Sequence, residues 1–130
     1  MKTQVIYHPH SRQILSIEIG TGREHDIQLA KRTLKLLSSY RYVMTDLGYY
    51  GLPECGFKLL MPIKKVKNMT KCKEVKAFNK IVSRYRIKIE HINCQLKHFK
   101  ILSGKYRNRR KRFGLRMNLI AALVNWMNRK

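Results

Sequence analysis

Acidic residues are scarce in this chain of 130 residues: seven Asp and Glu stand against 29 Lys and Arg, a formal net charge of +22. Like charge at that density opposes compaction by self-repulsion unless a polyanion neutralises it, so nucleic acid is the expected partner. Cysteine is also sparse. Cys55, Cys72 and Cys94 are irregularly spaced with no Cys-x-x-Cys pair, which removes the usual structural zinc pattern and suits a reducing compartment. Long apolar runs are missing too. The longest, Leu119 to Val124, is far too short to cross a bilayer, and Met1 to Tyr7 lacks the apolar stretch of a signal peptide. A soluble, unexported, cytoplasmic and nucleoid-associated protein with no membrane partner is therefore expected. No Ser/His/Asp signature is present, and Gly20-x-Gly22 is too short for a nucleotide loop.

An apolar fraction of 44% is ordinary for a globular chain, and this length suits one domain with one modest core. Thr3 to Tyr7 and Gln13 to Ile19 are rich in β-branched and aromatic residues and flank His8-Pro9-His10-Ser11-Arg12, which predicts a hairpin over 3–19. Thr21 and Glu24 match a capping box, with Asp26 as an alternative N-cap, ahead of a helix over 25–38. Ile27, Ala30, Leu34 and Leu37 would form its buried stripe. Strands are expected at 40–45 and 57–61. A helical region over 70–102 carries Val75, Phe78, Val82, Tyr85, Ile89, Ile92, Leu96 and Phe99 in unbroken steps of three and four. Ser83 could cap a second helix inside it. A basic stretch follows, then a C-terminal helix over 115–127. These elements describe a mixed α/β (α+β) domain.

Among the few acids, Asp46 and Glu90 stand out by position. Asp46 closes a strand just before Leu47-Gly48-Tyr49-Tyr50-Gly51, where a carboxylate can be held rigidly yet face substrate. Glu90 flanks the apolar stripe of the long helix, and Arg86, Glu90 and Lys97 fall on one helical face. The same Arg-Glu spacing also serves a solvated ion pair worth about 0.2–0.5 kcal/mol. Lys105, Arg107, Arg109, Arg110, Lys111 and Arg112 put six cations into eight residues, with Tyr106 within the run and Phe113 after it; phosphate contact or a solvated basic loop both fit. His91, Cys94 and His98 do not make a zinc site by themselves, and Asp26 is read as a helix cap rather than a ligand.

Taken in order, these blocks resemble the insertion-sequence DDE transposases. Ser83-x2-Arg86-x3-Glu90-x6-Lys97 looks like the family's third-acid signature, commonly Tyr-x2-Arg-x3-Glu-x6-Lys, with Ser83 in place of the Tyr. Thr45-Asp46-Leu47-Gly48-Tyr49-Tyr50-Gly51 is similar to the second-acid block Ala-Asp-x-Gly-Tyr-x-Gly. Further matches are Gly22-Arg23-Glu24-His25-Asp26, Lys97 to Leu102, and Tyr106 to Arg110. The resemblance implies an RNase H-like fold and two-metal cutting and joining of DNA, with Asp46 and Glu90 as catalytic acids and ligands of Mg²⁺, or Mn²⁺ as a substitute. It implies that Arg86 and Lys97 hold the DNA of transposon ends and target, and the charge of the run from Lys105 to Arg112 favours phosphate contact there. No carboxylate precedes Glu18, so the family's first strand and its first catalytic Asp are expected to be missing. The expected partner is then the missing N-terminal half or another transposase chain, and the isolated chain is expected to be inactive. Two other readings stay open: a non-catalytic basic nucleic-acid-binding protein, and an interaction subunit of a full-length transposase.

Overall fold

The computed structural model describes residues 2–64, 72–103 and 110–129. Strands β1 (Lys2–His8) and β2 (Gln13–Gly20) are followed by helices α1 (Asp26–Arg32) and α2 (Leu34–Leu37) and strand β3 (Tyr42–Met44). Then come strand β4 (Lys58–Leu60), the long helix α3 (Lys73–His98), the short α4 (Lys100–Ser103) and α5 (Phe113–Met127). The class is mixed α and β, with two separate two-stranded sheets among the described residues. The chain divides into two compact units, one of residues 1–24 and 88–130 and the other of residues 25–87, the division falling inside α3.

In the first unit, β1 and β2 form the expected antiparallel hairpin, from Lys2 opposite Gly20 to His8 opposite Gln13, with an irregularity between Ile6 and Tyr7. The turn closes through the imidazole of His8, whose Nδ1 accepts from Ser11 N at 3.1 Å. Arg12 completes it at φ 56, a left-handed conformation that few side chains other than Asn and Asp adopt. Against the hairpin lie α5 and the last turns of α3. Ile14, Ile92, Leu96, Ile120, Ala121 and Val124 make one buried cluster, edged by Val5, Tyr7, Ile17, Phe99 and Leu102. Burying a side chain of this size contributes about 1.5–3 kcal/mol. The side-chain amide of Asn125 adds direction: it accepts from Ile14 N at 2.7 Å and donates to Ile14 O at 2.9 Å, which pins α5 to β2. Gln95 and Asn128 exchange amide hydrogen bonds of 3.3 and 3.0 Å between α3 and the end of α5.

Helix α5 is apolar on both sides. Phe113, Met117, Ile120, Ala121 and Val124 are buried, whereas Leu115, Leu119, Leu123, Trp126 and Met127 remain exposed. It begins at Phe113, two residues before the expected start, because a 3-10 turn over Arg110–Arg112 leads straight into it.

In the second unit, β3 and β4 pair in parallel, Tyr42 with Lys58, Val43 with Leu59 and Met44 with Leu60. Buried Leu29, Ala30, Leu37, Leu52, Phe57 and Val82 supply its apolar interior. The helix expected over 25–38 is two pieces. Thr33 is buried, and both its backbone N–H and its hydroxyl donate to Ala30 O, at 3.0 and 2.9 Å, which diverts the ladder by one residue and separates α1 from α2. The capping box is not used: Glu24 N bonds Thr21 O in a turn, and α1 starts only at Asp26, with His25 at the N-cap. Asp26 is therefore a first-turn residue and not the cap, where its charge complements the positive end of the helix.

The strongest periodicity does become helix. α3 runs unbroken from Lys73 to His98, so Ser83 does not divide it; the hydroxyl-bearing residue is exposed inside a continuous helix. Along the expected stripe, Val82, Ile92 and Leu96 are buried and Val75, Phe78, Ile89 and Phe99 half-buried, while Tyr85 is exposed. Cys72 precedes the first turn, and its thiol is shifted down by the backbone N–H groups of Val75 and then Glu74, donors that a helix start leaves without intrahelical partners. No helix among the described residues is long and apolar enough to cross a membrane.

Candidate active site

Asp46 follows β3 directly. The parallel pairing continues one step beyond the strand, Thr45 N donating to Leu60 O at 3.0 Å, so the backbone entering Asp46 is fixed by the sheet. The hydroxyl oxygen of Thr45 is buried with no hydrogen-bond partner. Beyond it a 3-10 turn spans Leu47–Tyr49, and Asp46 caps that turn, with extended backbone (φ −87, ψ 179) and Oδ1 accepting from Gly48 N at 2.9 Å. A strand end and a short-range cap thus set the orientation of one carboxylate while leaving the residue exposed.

Gly48 is small for a reason that the surroundings make plain. A Cβ there would lie 3.1 Å from Asp46 Oδ1 and 3.5 Å from Asp26 Oδ2, so the carboxylates of Asp26 and Asp46 both flank the same glycine. Helix α1 lies against the 3-10 turn, which is how the first-turn Asp26 reaches this place. Tyr49 senses both charges. Burial raises its phenol above the ordinary range, and the negative charges of Asp26 and then Asp46 raise it further, so it stays a neutral hydroxyl well into alkaline solution. Sequence spacing did not identify Asp26 as a neighbour of Asp46; the hint was only that His25-Asp26 belonged to one of the matching blocks.

The remaining expected site residues are distributed as follows. Arg86, Glu90 and Lys97 are all exposed residues of α3. Asp46 and Arg86 belong to the unit of residues 25–87, and Glu90 and Lys97 to the other. Of the basic run, Lys105, Arg107 and Arg109 lie outside the described residues; Arg110, Lys111 and Arg112 form the 3-10 turn before α5, with Lys111 and Arg112 exposed. Among the described residues no group of three or more His, Cys, Asp or Glu is gathered as a metal cage. That includes His91, Cys94 and His98.

The strand-end Asp46 with its glycine turn, and Glu90 on the long helix, lie in the segments that resemble the family's second- and third-acid blocks. The chain belongs to the family described as "Transposase DDE domain", which matches residues 1–125. Among its relatives is a "Probable transposase for insertion sequence element IS702" from Microchaete diplosiphon, 43% identical over 126 residues, which are 97% of this chain and 46% of that protein. The chain thus spans about half the length of the curated relative it matches. No solved structure matches it.

Proposed function

We propose that this chain is part of the catalytic domain of an insertion-sequence transposase with an RNase H-like fold, acting in DNA transposition by phosphodiester hydrolysis and strand transfer. The observation that carries the reading is Asp46: an exposed carboxylate held at the end of a paired strand by Gly48 N, within a chain that matches the DDE family over residues 1–125. Asp46 and Glu90 are its metal ligands by resemblance. Carboxylate oxygens are hard donors, and the N–H of Gly48 occupies only one oxygen of Asp46, so the donor chemistry fits Mg²⁺ or Mn²⁺, which bind through one or two carboxylates and keep several waters. Such ions, held by Asp46 and Glu90, would supply activation of water and stabilisation of the leaving oxygen.

The chain's own groups do the rest. Arg86 and Lys97 hold phosphates near the scissile bond, Arg in bidentate fashion, and the cations from Lys105 to Arg112 hold the flanking duplex. The neutral phenol of Tyr49 adds no further negative charge beside Asp46 and Asp26. With a net charge of +22 the protein repels a free cation, so ion affinity rises only once DNA phosphates are present. Of the three acids that name the family, two are assigned here, and we expect no cleavage by residues 1–130 alone.

Calorimetric titration of Mg²⁺ into the protein with and without duplex DNA tests the assignment. The expected result is measurable binding only with DNA, weakened roughly tenfold or more by Asp46→Asn. Tight binding without DNA, or an Asp46→Asn variant indistinguishable from the parent, contradicts it.

A further inference from the structure

The second unit carries a basic ridge that the assigned residues do not use. Lys76, Lys80 and Arg84 recur every fourth residue on α3, with Lys73 one turn earlier, and all four are exposed. At 3.6 residues per turn they share one side of the helix, about 12 Å long from Lys76 to Arg84, on the far side from buried Val82 and half-buried Val75 and Phe78. The one acid in this stretch, Glu74, falls about a third of a turn away from the ridge, towards the apolar side.

A second feature extends the ridge. The side-chain amide of Asn79 accepts from Ile63 N at 2.9 Å and donates to Ile63 O at 3.1 Å, gripping both polar groups of one residue in the segment that leaves β4. Pro62 before it has no N–H to offer. The grip holds Ile63, the residue before the exposed Lys64, against the helical turn that contains Lys76 and Lys80.

We propose that Lys64, Lys73, Lys76, Lys80 and Arg84 form a sequence-independent phosphate-backbone site for duplex DNA, made of residues other than Arg86, Lys97 and the run from Lys105 to Arg112. It rests on the reading that the chain acts on DNA. Successive cations rise about 6 Å along the helix, and a duplex strand presents a phosphate every ~3.4 Å of its axis, so each cation finds an anionic partner along one backbone. No base edge is read by such a ridge; it positions the duplex and leaves sequence to other residues.

The test is the salt dependence of binding to a mixed-sequence duplex, followed by fluorescence anisotropy with the intact chain. Two triple variants carry the same change of charge within the same unit: Lys76→Gln with Lys80→Gln and Arg84→Gln, and, away from the ridge, Lys31→Gln with Lys35→Gln and Lys58→Gln. Each phosphate contact contributes roughly 0.9 to the slope of log affinity against log salt, so the ridge variant is expected to lose about 2–3 from the slope and the matched variant well under one. Asn79→Ala keeps every charge and is expected to lose about one, through release of Lys64. Circular dichroism checks that α3 is intact in each. Equal slopes for the two triple variants would overturn the ridge while leaving the DNA reading in place. A parent protein with no salt-dependent affinity for duplex, or one that prefers anionic vesicles to it, would overturn both.

Discussion

Asn125 and Asn79 perform the same act in the two units: each side-chain amide grips the N–H and the C=O of a single isoleucine, Ile14 in the first and Ile63 in the second. The settings differ. Around Asn125 the bonds are partly buried and close a helix over a hairpin whose partners form one apolar cluster. Around Asn79 they are exposed and hold an irregular segment just past a three-residue strand. In the first unit the amide closes onto the buried cluster. In the second, whose interior is Leu29, Ala30, Leu37, Leu52, Phe57 and Val82, the amide acts at the surface, and the candidate acid Asp46 is likewise oriented by a local bond at an exposed position.

The largest effect should come from the core of the first unit. Ile120→Ala removes a side chain only 6% exposed and is expected to cost about 2–5 kcal/mol in chemical denaturation. Its neighbour Leu119, 58% exposed, should change stability by no more than about 0.5 kcal/mol when cut to Ala. A comparable loss for both would mean that the outer face of α5 is packed as well. Next come the two amides. Asn125→Ala leaves partly buried backbone groups of Ile14 unsatisfied, an expected loss of about 1–3 kcal/mol, whereas water replaces Asn79 at exposed Ile63 and the loss stays near or below about 1 kcal/mol. Matching losses would erase the contrast between the units.

Smaller still in stability, but aimed at function, is Gly48→Ala. The new Cβ meets Asp46 Oδ1 at 3.1 Å, a crowding that the carboxylate relieves by moving. Melting temperature should hardly change, while DNA-dependent Mg²⁺ affinity falls; an unaltered affinity would show that the orientation set by Gly48 does not matter. The least effect concerns Tyr49. Its phenol titrates higher in the folded chain than in the unfolded one, so the folded state holds the proton more tightly. The resulting stability is fully present below the ordinary tyrosine range near 10 and is lost as pH rises through the higher folded value. Tyr49→Phe should flatten the alkaline limb of the stability profile, and Asp26→Asn should lower the Tyr49 titration midpoint measured by ultraviolet absorbance.

What the sequence made legible follows from the range of the forces involved. Periodicity placed α3 and the hairpin because those elements bury one face over many residues. Chemistry of the loop after residue 45 placed Asp46, since strand end, turn glycine and acid are consecutive. The break at Thr33 escaped because a buried hydroxyl bonding back to Ala30 leaves no Gly or Pro to read. Ser83 misled in the opposite direction, an exposed serine that the packed faces of α3 override. The approach of Asp26 to Gly48 spans twenty-odd positions and depends on α1 lying against the 3-10 turn, which no local spacing encodes.

By resemblance, Asp46 and Glu90 are each proposed to bind a divalent cation on DNA. Paramagnetic broadening by Mn²⁺ of carboxylate-labelled protein bound to duplex addresses it most directly. The prediction is early and parallel loss of the Asp46 and Glu90 side-chain signals, reversed by excess Mg²⁺, with Glu18 and Glu54 persisting. Broadening of Asp46 alone, or of all seven acids together, would contradict it.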